Sequence, residues 1–328
     1  MARRLAAALI FGLGVIALIG PARDRAQAQT SAPWPTRPVR FILPFGPGSG
    51  IDVGARIVGE RLAARWGQPV VIENRAGGDG ILAITTFINA NDDHILLFAG
   101  VGSYTVHPYM MEKTPYDFKR DVQPVARIAN TLMAVTLSSK DKASDLKSFV
   151  AYARANPGKL NAAVPQGITE LFFDGFLKAE GLDIPKVPYK DTVQAVPDLA
   201  EGRLDIIYSS YSVVRPTAEG GGVRVVAMGS RDRVPSLPNI PTVLEAGVPS
   251  LQLEGLSGVF GPAKMPLEQR MRIGQDVVEA MKDQSVLDRF VASGQAPMPG
   301  GAAELEVSLQ GQIDQVEAVA KLVGLKKR

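Results

Sequence analysis

The 328-residue chain contains no cysteine. That excludes disulfides, thiolate metal sites, a cysteine nucleophile and a lipidated N-terminal cysteine. It also suits an oxidising compartment, where stray thiols are a hazard. Histidine is nearly absent: His94 and His107 are the only two. No Asp/Glu spacing around them resembles a metal site, and His94, at the start of an apolar run, reads as structural. Nucleophile and nucleotide motifs are missing as well. Gly255-Leu-Ser-Gly-Val259 has valine where a nucleophile elbow needs its last glycine. Gly50 is followed by Ile51 rather than lysine, so there is no Walker A loop. The expectation is a non-enzyme with no cofactor and no metal.

One long hydrophobic run is present, at the N-terminus. Arg3 and Arg4 precede an apolar stretch from Leu5 to Ile19, and Ala26-Gln27-Ala28 follows as a small-residue cleavage site. This is the pattern of a secretion signal over residues 1–28. The run carries Gly12 and Gly14 and falls short of the ~20 residues a membrane helix needs. A retained N-terminal anchor is the alternative. The formal charge of +3 belongs largely to this segment. Its loss removes four arginines and one aspartate, leaving 32 basic and 32 acidic residues. A neutral mature chain gives no reason to expect a nucleic-acid or membrane-surface partner. About 300 residues remain, enough for two cores.

The most informative stretch is Phe41-Ile-Leu-Pro-Phe-Gly-Pro-Gly-Ser-Gly-Ile-Asp-Val53. An apolar strand ends in a Gly/Pro loop, and Asp52 is expected to N-cap the helix that follows, with Val53, Ile57, Val58, Leu62 and Trp66 on its apolar stripe. Such a junction at the end of a parallel strand presents backbone N–H groups and a helix dipole to an anion. Strands are expected at Val39–Leu43, Val70–Ile72 and Ile95–Phe98, with helices between them, which argues a parallel sheet. The rhythm recurs further on. Ser144 is expected to cap a helix, and strands are expected at Leu160–Val164, Lys186–Pro188, Leu204–Tyr208 and Val223–Ala227. Helices near Leu267–Lys282, Val286–Ala292 and Ala303–Leu322 close the chain. Two βα blocks with a helical tail suggest two lobes, the first from residues 34–135 and 258–328, the second from 136–257.

From Trp34 onward the chain resembles the Bug-type solute-binding proteins of tripartite tricarboxylate transporters. The matching motifs run in order: Pro35-Thr-Arg-Pro38, Pro44-Phe-Gly-Pro-Gly48 with Asp52, Gly67-Gln-Pro-Val-Val-Ile-Glu-Asn-Arg75, Ala155-Asn-Pro-Gly-Lys-Leu-Asn161, Val187-Pro-Tyr-Lys190 and Leu237-Pro-Asn-Ile-Pro-Thr-Val-Leu-Glu-Ala-Gly247. The resemblance implies a two-lobed α/β periplasmic binding protein (type II-like) with a ligand cleft between the lobes. It also implies a small carboxylate ligand, delivery to the membrane permease subunits of such a transporter, and a monomeric receptor in the periplasm. The loops depart from the family pattern at Ser49, Ile51, Asp191-Thr192, Gln166–Leu171 and Ser209-Ser210, which implies the same architecture with a retuned pocket.

Ligand contact is accordingly expected from Phe45, Gly46, Pro47, Gly48, Ser49 and Gly50, against an ordinary turn as the alternative. In the next loop Gly102 and Ser103 are candidates, Ser103 as a hydroxyl donor or a plain turn residue. The second lobe offers Gly167, Thr169, Lys190, Thr192 and Ser209. Thr169 is equally readable as a helix cap and Lys190 as a solvated lysine. Tyr208 and Tyr211 read as core. Asp191, and the lack of an acid at Ser209, lead to the expectation that dicarboxylates and aromatic or hydroxy carboxylates bind ahead of citrate and aspartate. A receptor presenting ligand to a sensor kinase is the alternative within binding. An exported NAD-type enzyme is the alternative outside it: Gly48-Ser-Gly-Ile-Asp-Val-Gly54 is one residue off the dinucleotide spacing, with Glu73 about 20 residues on. The Ala26-Gln27-Ala28 site predicts that the exported protein starts at Gln29, to be read by N-terminal sequencing. A membrane-held product retaining Met1 to Ala28 would refute this.

Overall fold

The computed structural model describes residues 34–189 and 191–327. The segment read as a secretion signal, its cleavage site and Lys190 lie outside the described residues. Within the compact unit of residues 35–328 the chain builds two sheets.

The first sheet begins with β1 (Val39–Leu43), α1 (Gly50–Trp66), β2 (Val70–Asn74), α2 (Ile81–Ala90) and β3 (Ile95–Gly100). β1 pairs in parallel with both β2 and β3. Phe41, Ile42 and Leu43 are fully buried, as expected of a parallel strand covered on both faces. The chain continues through α3 (Gly102–Met110) and the short α4 (Phe118–Asp121) into β4 (Val122–Thr131).

Leu132 then carries it into the second sheet. Its elements are β5 (Met133–Ser138), α5 (Leu146–Ala155), β6 (Ala162–Ala163), α6 (Ile168–Glu180), α7 (Ala195–Glu201), β7 (Ile206–Ser210), α8 (Tyr211–Glu219) and β8 (Val223–Met228). The order in that sheet is β6-β7-β5-β8. The chain returns with β9 (Gly255–Pro262), α9 (Leu267–Ala280), α10 (Gln284–Ala292), β10 (Gln295–Gly300) and α11 (Ala302–Val323). The first sheet is thereby completed in the order β10-β4-β9-β3-β1-β2. The lobe boundaries expected at Val135 and Gly258 fall inside β5 and β9.

Local chemistry corrects several expectations. Asp145, not Ser144, caps α5, in a reciprocal box with Ser148. The strand expected at Lys186–Pro188 is a single bridge from Ala162 to Lys186. β4 and β10 lie where no element is expected from the sequence. Both contain proline and pair with a register shift at it, Pro124 in β4 and Pro297 in β10; proline removes a ladder donor and weakens the strand signal.

The last helix is shared. Leu305 and Leu309 of α11 join the core beneath the first sheet, whereas Val316 joins the core of the second. α11 crosses α6 at Gly175, where a Cβ would lie 2.7 Å from Val319 Cγ1. α9 approaches β4 still more tightly: a Cβ at Gly274 would lie 2.6 Å from the Val125 carbonyl oxygen. Gly274→Ala should therefore lower stability by about 1–3 kcal/mol through overpacking, although alanine is the better helix former by ~1 kcal/mol. Urea unfolding of the variant checks this; a stabilised variant would mean that β4 yields.

Candidate ligand cleft

The β1–α1 loop leaves the C-terminal end of β1, the edge of the sheet where a ligand is expected. Ser49 is the N-cap of α1, its Oγ accepting from Asp52 N at 3.2 Å. This corrects the expectation that Asp52 is the cap. Asp52 sits in the first turn, 2% exposed, and fastens the loop instead. Its carboxylate accepts from Gly48 N at 2.9 Å, from Asn74 Nδ2 at 2.9 Å and from the Arg56 guanidinium. Asn74 also donates to the Phe45 carbonyl at 2.9 Å. On the far side Gln295 of β10 donates to the Gly50 carbonyl at 2.8 Å. Burial pushes the Asp52 carboxyl up, but the bonds from Arg56, Gly48 and Asn74 outweigh it and hold the group below its usual range.

Pro47 and Gly48 are exposed at the loop tip, and Gly48 takes φ +84°. A Cβ there would meet nothing within 4 Å, so the glycine answers a backbone requirement and not crowding by the protein. A cavity of about 380 Å³ opens beside Gly48, Gly50 and Val53, faced by Ser212, Arg215 and Glu219 of α8. Arg215 is a cation that the sequence reading passed over, because α8 was not anticipated. It donates to Glu219 at 2.8 Å and to the Ala292 carbonyl at 3.0 Å.

The loops after β2 and β3 reach the same edge. Ser103 lies in the first turn of α3, half-buried, and donates to Asp79 at 3.0 Å. His107, one helical turn on, approaches Asp79 with Nε2 at 3.0 Å and Tyr116 OH with Nδ1 at 2.6 Å. The second lobe meets these residues directly. A Cβ at Gly102 would lie 2.8 Å from Ile168 Cγ2, and one at Gly167 would lie 3.5 Å from Asp79 Oδ2. Gly167 begins α6 with no side-chain cap, and Thr169 is buried in the first turn.

Other expected site residues are placed differently. Thr192 opens a 3-10 turn, Thr192–Gln194, that Asp191 caps through Val193 N at 2.9 Å. Ser209 is fully buried in β7. Tyr208 is buried too and donates to the Leu251 carbonyl at 2.7 Å, a core role. His94 is structural: Nδ1 lies 2.7 Å from Asp93, and Nε2 accepts from Thr36 N. Asp92, Asp93 and His94 bring potential ligand atoms within 4.8 Å of one another, a grouping not foreseen from their spacing. Their polar atoms already bond to one another and to Arg37. They stand at the N-terminal end of β3, away from the loops above.

Two α/β lobes meeting over strand-end loops define a periplasmic binding protein. The family model for the tripartite tricarboxylate transporter family receptor matches residues 54–325, and the chain belongs to that family. BugT of Bordetella pertussis is 28% identical over 96% of this chain and 98% of its own length. An R. palustris protein solved with adipate shares 28% identity and superposes with a TM-score of 0.80 over 90% of this chain and 100% of that one. MatC from Rhodopseudomonas palustris, solved with malate, gives 26% and 0.73 over 88% and 99%. Family and neighbours are solute-binding proteins. No helix of the described residues is long and apolar enough to cross a membrane.

The Asp52 node has a pH signature. Its folded pKa is depressed, so its stabilisation is complete above the unfolded value of about 3.9 and fades as pH falls through the folded value. Asp52→Asn should cost about 1–3 kcal/mol at neutral pH, because buried donors lose an acceptor, and should flatten the loss of stability between pH 5 and 3. Chemical unfolding at both ends of that range is the measurement; an unchanged acid limb would remove Asp52 from the account.

Proposed function

We propose that this chain is an exported receptor that captures a small carboxylate in the cleft by closure and delivers it to the permease subunits of a tripartite tricarboxylate transporter. What supports the reading is the family match over residues 54–325, together with the meeting of the first lobe's strand-end loops and the uncapped start of α6, Gly102 against Ile168 and Asp79 against Gly167. An uncapped helix start is a ready anion site. The adipate and malate found with its structural neighbours support the ligand class. In this reading Phe45 to Gly50, Gly102 and Ser103 bind from one side, and Gly167, Thr169, Lys190 and Thr192 from the other. Ser209 would support the second group from beneath. The lobes would divide where the chain crosses between sheets, and the protein would act as a periplasmic monomer once residues 1–28 are removed. Closure follows if the ligand binds the closed form better, since only differential affinity shifts such an equilibrium.

Calorimetry of the mature protein with aliphatic, hydroxy and aromatic carboxylates tests this reading. Binding of at least one is expected. Gly48→Val should weaken that binding about ten- to a hundred-fold, the scale of one lost hydrogen bond to a charged group. Valine disfavours φ > 0 and would displace the loop. Wild-type affinity in a normally folded Gly48→Val protein would put the ligand elsewhere, and no binding of any carboxylate would sink the receptor reading.

A further inference from the structure

A cavity of about 240 Å³ opens where the chain crosses between the sheets. Asn130 lines it from the end of β4, Arg231 from the loop after β8 and Glu254 from the position before β9. The helix α11 contributes Ser308, Gln312 and Gln315. None of these residues belongs to the cleft loops described above. At this point β4 and β9 are paired, Asn130 opposite Leu256 and Thr131 opposite Gly255, so the two strands hold their side of the cavity at a fixed spacing.

Glu254 sets the chemistry. Its carboxylate accepts from Asn130 Nδ2 at 2.5 Å and from Arg231 N at 3.1 Å, and its carbonyl accepts from Gln312 Nε2 at 3.0 Å. Asn130 Nδ2 gives its second hydrogen to Met298 Sδ at 3.1 Å. A carboxylate and a carbonyl can only accept, so each amide must turn its nitrogen toward Glu254. That leaves the amide oxygens facing away from it, and neither Asn130 Oδ1 nor Gln312 Oε1 has a hydrogen-bond partner. Both residues are only 6% exposed. Buried acceptors are ordinarily satisfied, so the floor of this cavity calls for donors.

The rim is of the opposite character. Arg231 is exposed, and its guanidinium makes no hydrogen bond among the described residues. Half-buried Ser308 accepts from Arg127 at 2.9 Å and keeps its own hydroxyl hydrogen to donate. Two buried acceptors and a half-buried carboxylate thus lie below an exposed guanidinium. A primary ammonium carries three hydrogens and no acceptor, one for each of Asn130 Oδ1, Gln312 Oε1 and the Glu254 carboxylate. A carboxylate on the same small molecule would meet Arg231 in a charge-assisted pair. Such a zwitterion adds no net charge to a site whose own two charges, on Glu254 and Arg231, are of opposite sign.

We propose that this cavity is a second ligand site, which takes a small molecule with a primary ammonium group, and that Arg231 favours an α-amino acid there over a simple amine. A guest held in it ties β4, β9 and α11 together at the strands that join the two sheets. The inference does not rest on the carboxylate-receptor reading above and shares no site residue with it.

Matched pairs test it by calorimetry on the mature protein: methylamine against tetramethylammonium, and glycine against its N-trimethyl derivative. Within each pair the charge is kept and the N–H donors are lost. The donor-bearing member should bind, its methylated partner should not, and glycine should bind ahead of methylamine. Glu254→Gln removes the charge. Gln312→Met removes one acceptor at similar volume, while the Glu254 carbonyl still accepts from Leu256 N at 2.9 Å. Each should weaken methylamine binding roughly ten- to a hundred-fold. Arg231→Gln, at an exposed position, should leave the melting temperature and methylamine binding unchanged and bring glycine down to the level of methylamine. No binding of either donor-bearing ligand overturns the inference and leaves ordered water as the guest. Equal binding of the methylated partners overturns it as well, because donation is then not what the cavity reads. So do folded Glu254→Gln and Gln312→Met proteins of wild-type affinity, which would put the amine elsewhere. Should neither of those two fold, a glycine preference that survives in Arg231→Gln overturns the inference by itself. Methylamine carries no carboxylate, so its failure to bind leaves the receptor reading untouched.

Discussion

The buried carboxylate of Asp52 organises the edge of the first sheet. A charge that is 2% exposed is tolerable only when paired and hydrogen-bonded. Here the donors come from the loop it stabilises, the strand beside it and the next turn of its own helix. Burial of one group therefore fixes three elements at once. Its anionic demand is met inside the protein, so it does not project a bare charge toward the cleft. That arrangement lets a buried acid stand beside the Phe45–Gly50 loop.

The second constraint is the sharing of α11. One end packs beneath the first sheet through Leu305 and Leu309, and the other packs against α6 through Val316 and the Gly175 crossing. A helix committed to both cores limits how the two sheets can move. Rotation about the crossings at Leu132 and before Gly255 must keep or reform the α6–α11 contact. Glycine at position 175 lets the two helices approach closely there, with Val319 filling the space.

Where the lobes touch, at Gly167 and Asp79, the two faces differ in sign. The start of α6 is positive by its dipole and lacks a capping side chain. Asp79 opposes it from a loop that only glycine and a short polar residue can follow. Ser103 and His107 hold the carboxylate, and Tyr116 holds the histidine. Every link in that chain is a hydrogen bond between groups far apart in the sequence pattern, and none of them belongs to a recognisable motif.

The amino-acid sequence by itself determined the elements with strong local signals. The apolar run of β1, the α1 stripe, Gly67 and Gly202 as helix ends, and the tail helices are legible from periodicity and punctuation. The ordered motifs from Pro35 to Gly247 were enough to anticipate the two-lobed receptor class. The loop at Phe45–Gly50 was legible because glycine and proline mark it. Tertiary structure decided what depends on partners. The proline-bearing strands β4 and β10 exist because neighbouring strands pair with them. Ser49 caps α1 because burial draws Asp52 inward to Gly48 and Asn74. His107 and Asp79, 28 positions apart, come within hydrogen-bond distance because α3 and the β2–α2 loop meet at one sheet edge. Local patterns reveal hydrogen-bonding within a few residues, but a charge whose partners are remote acquires its role only when the chain has closed around it.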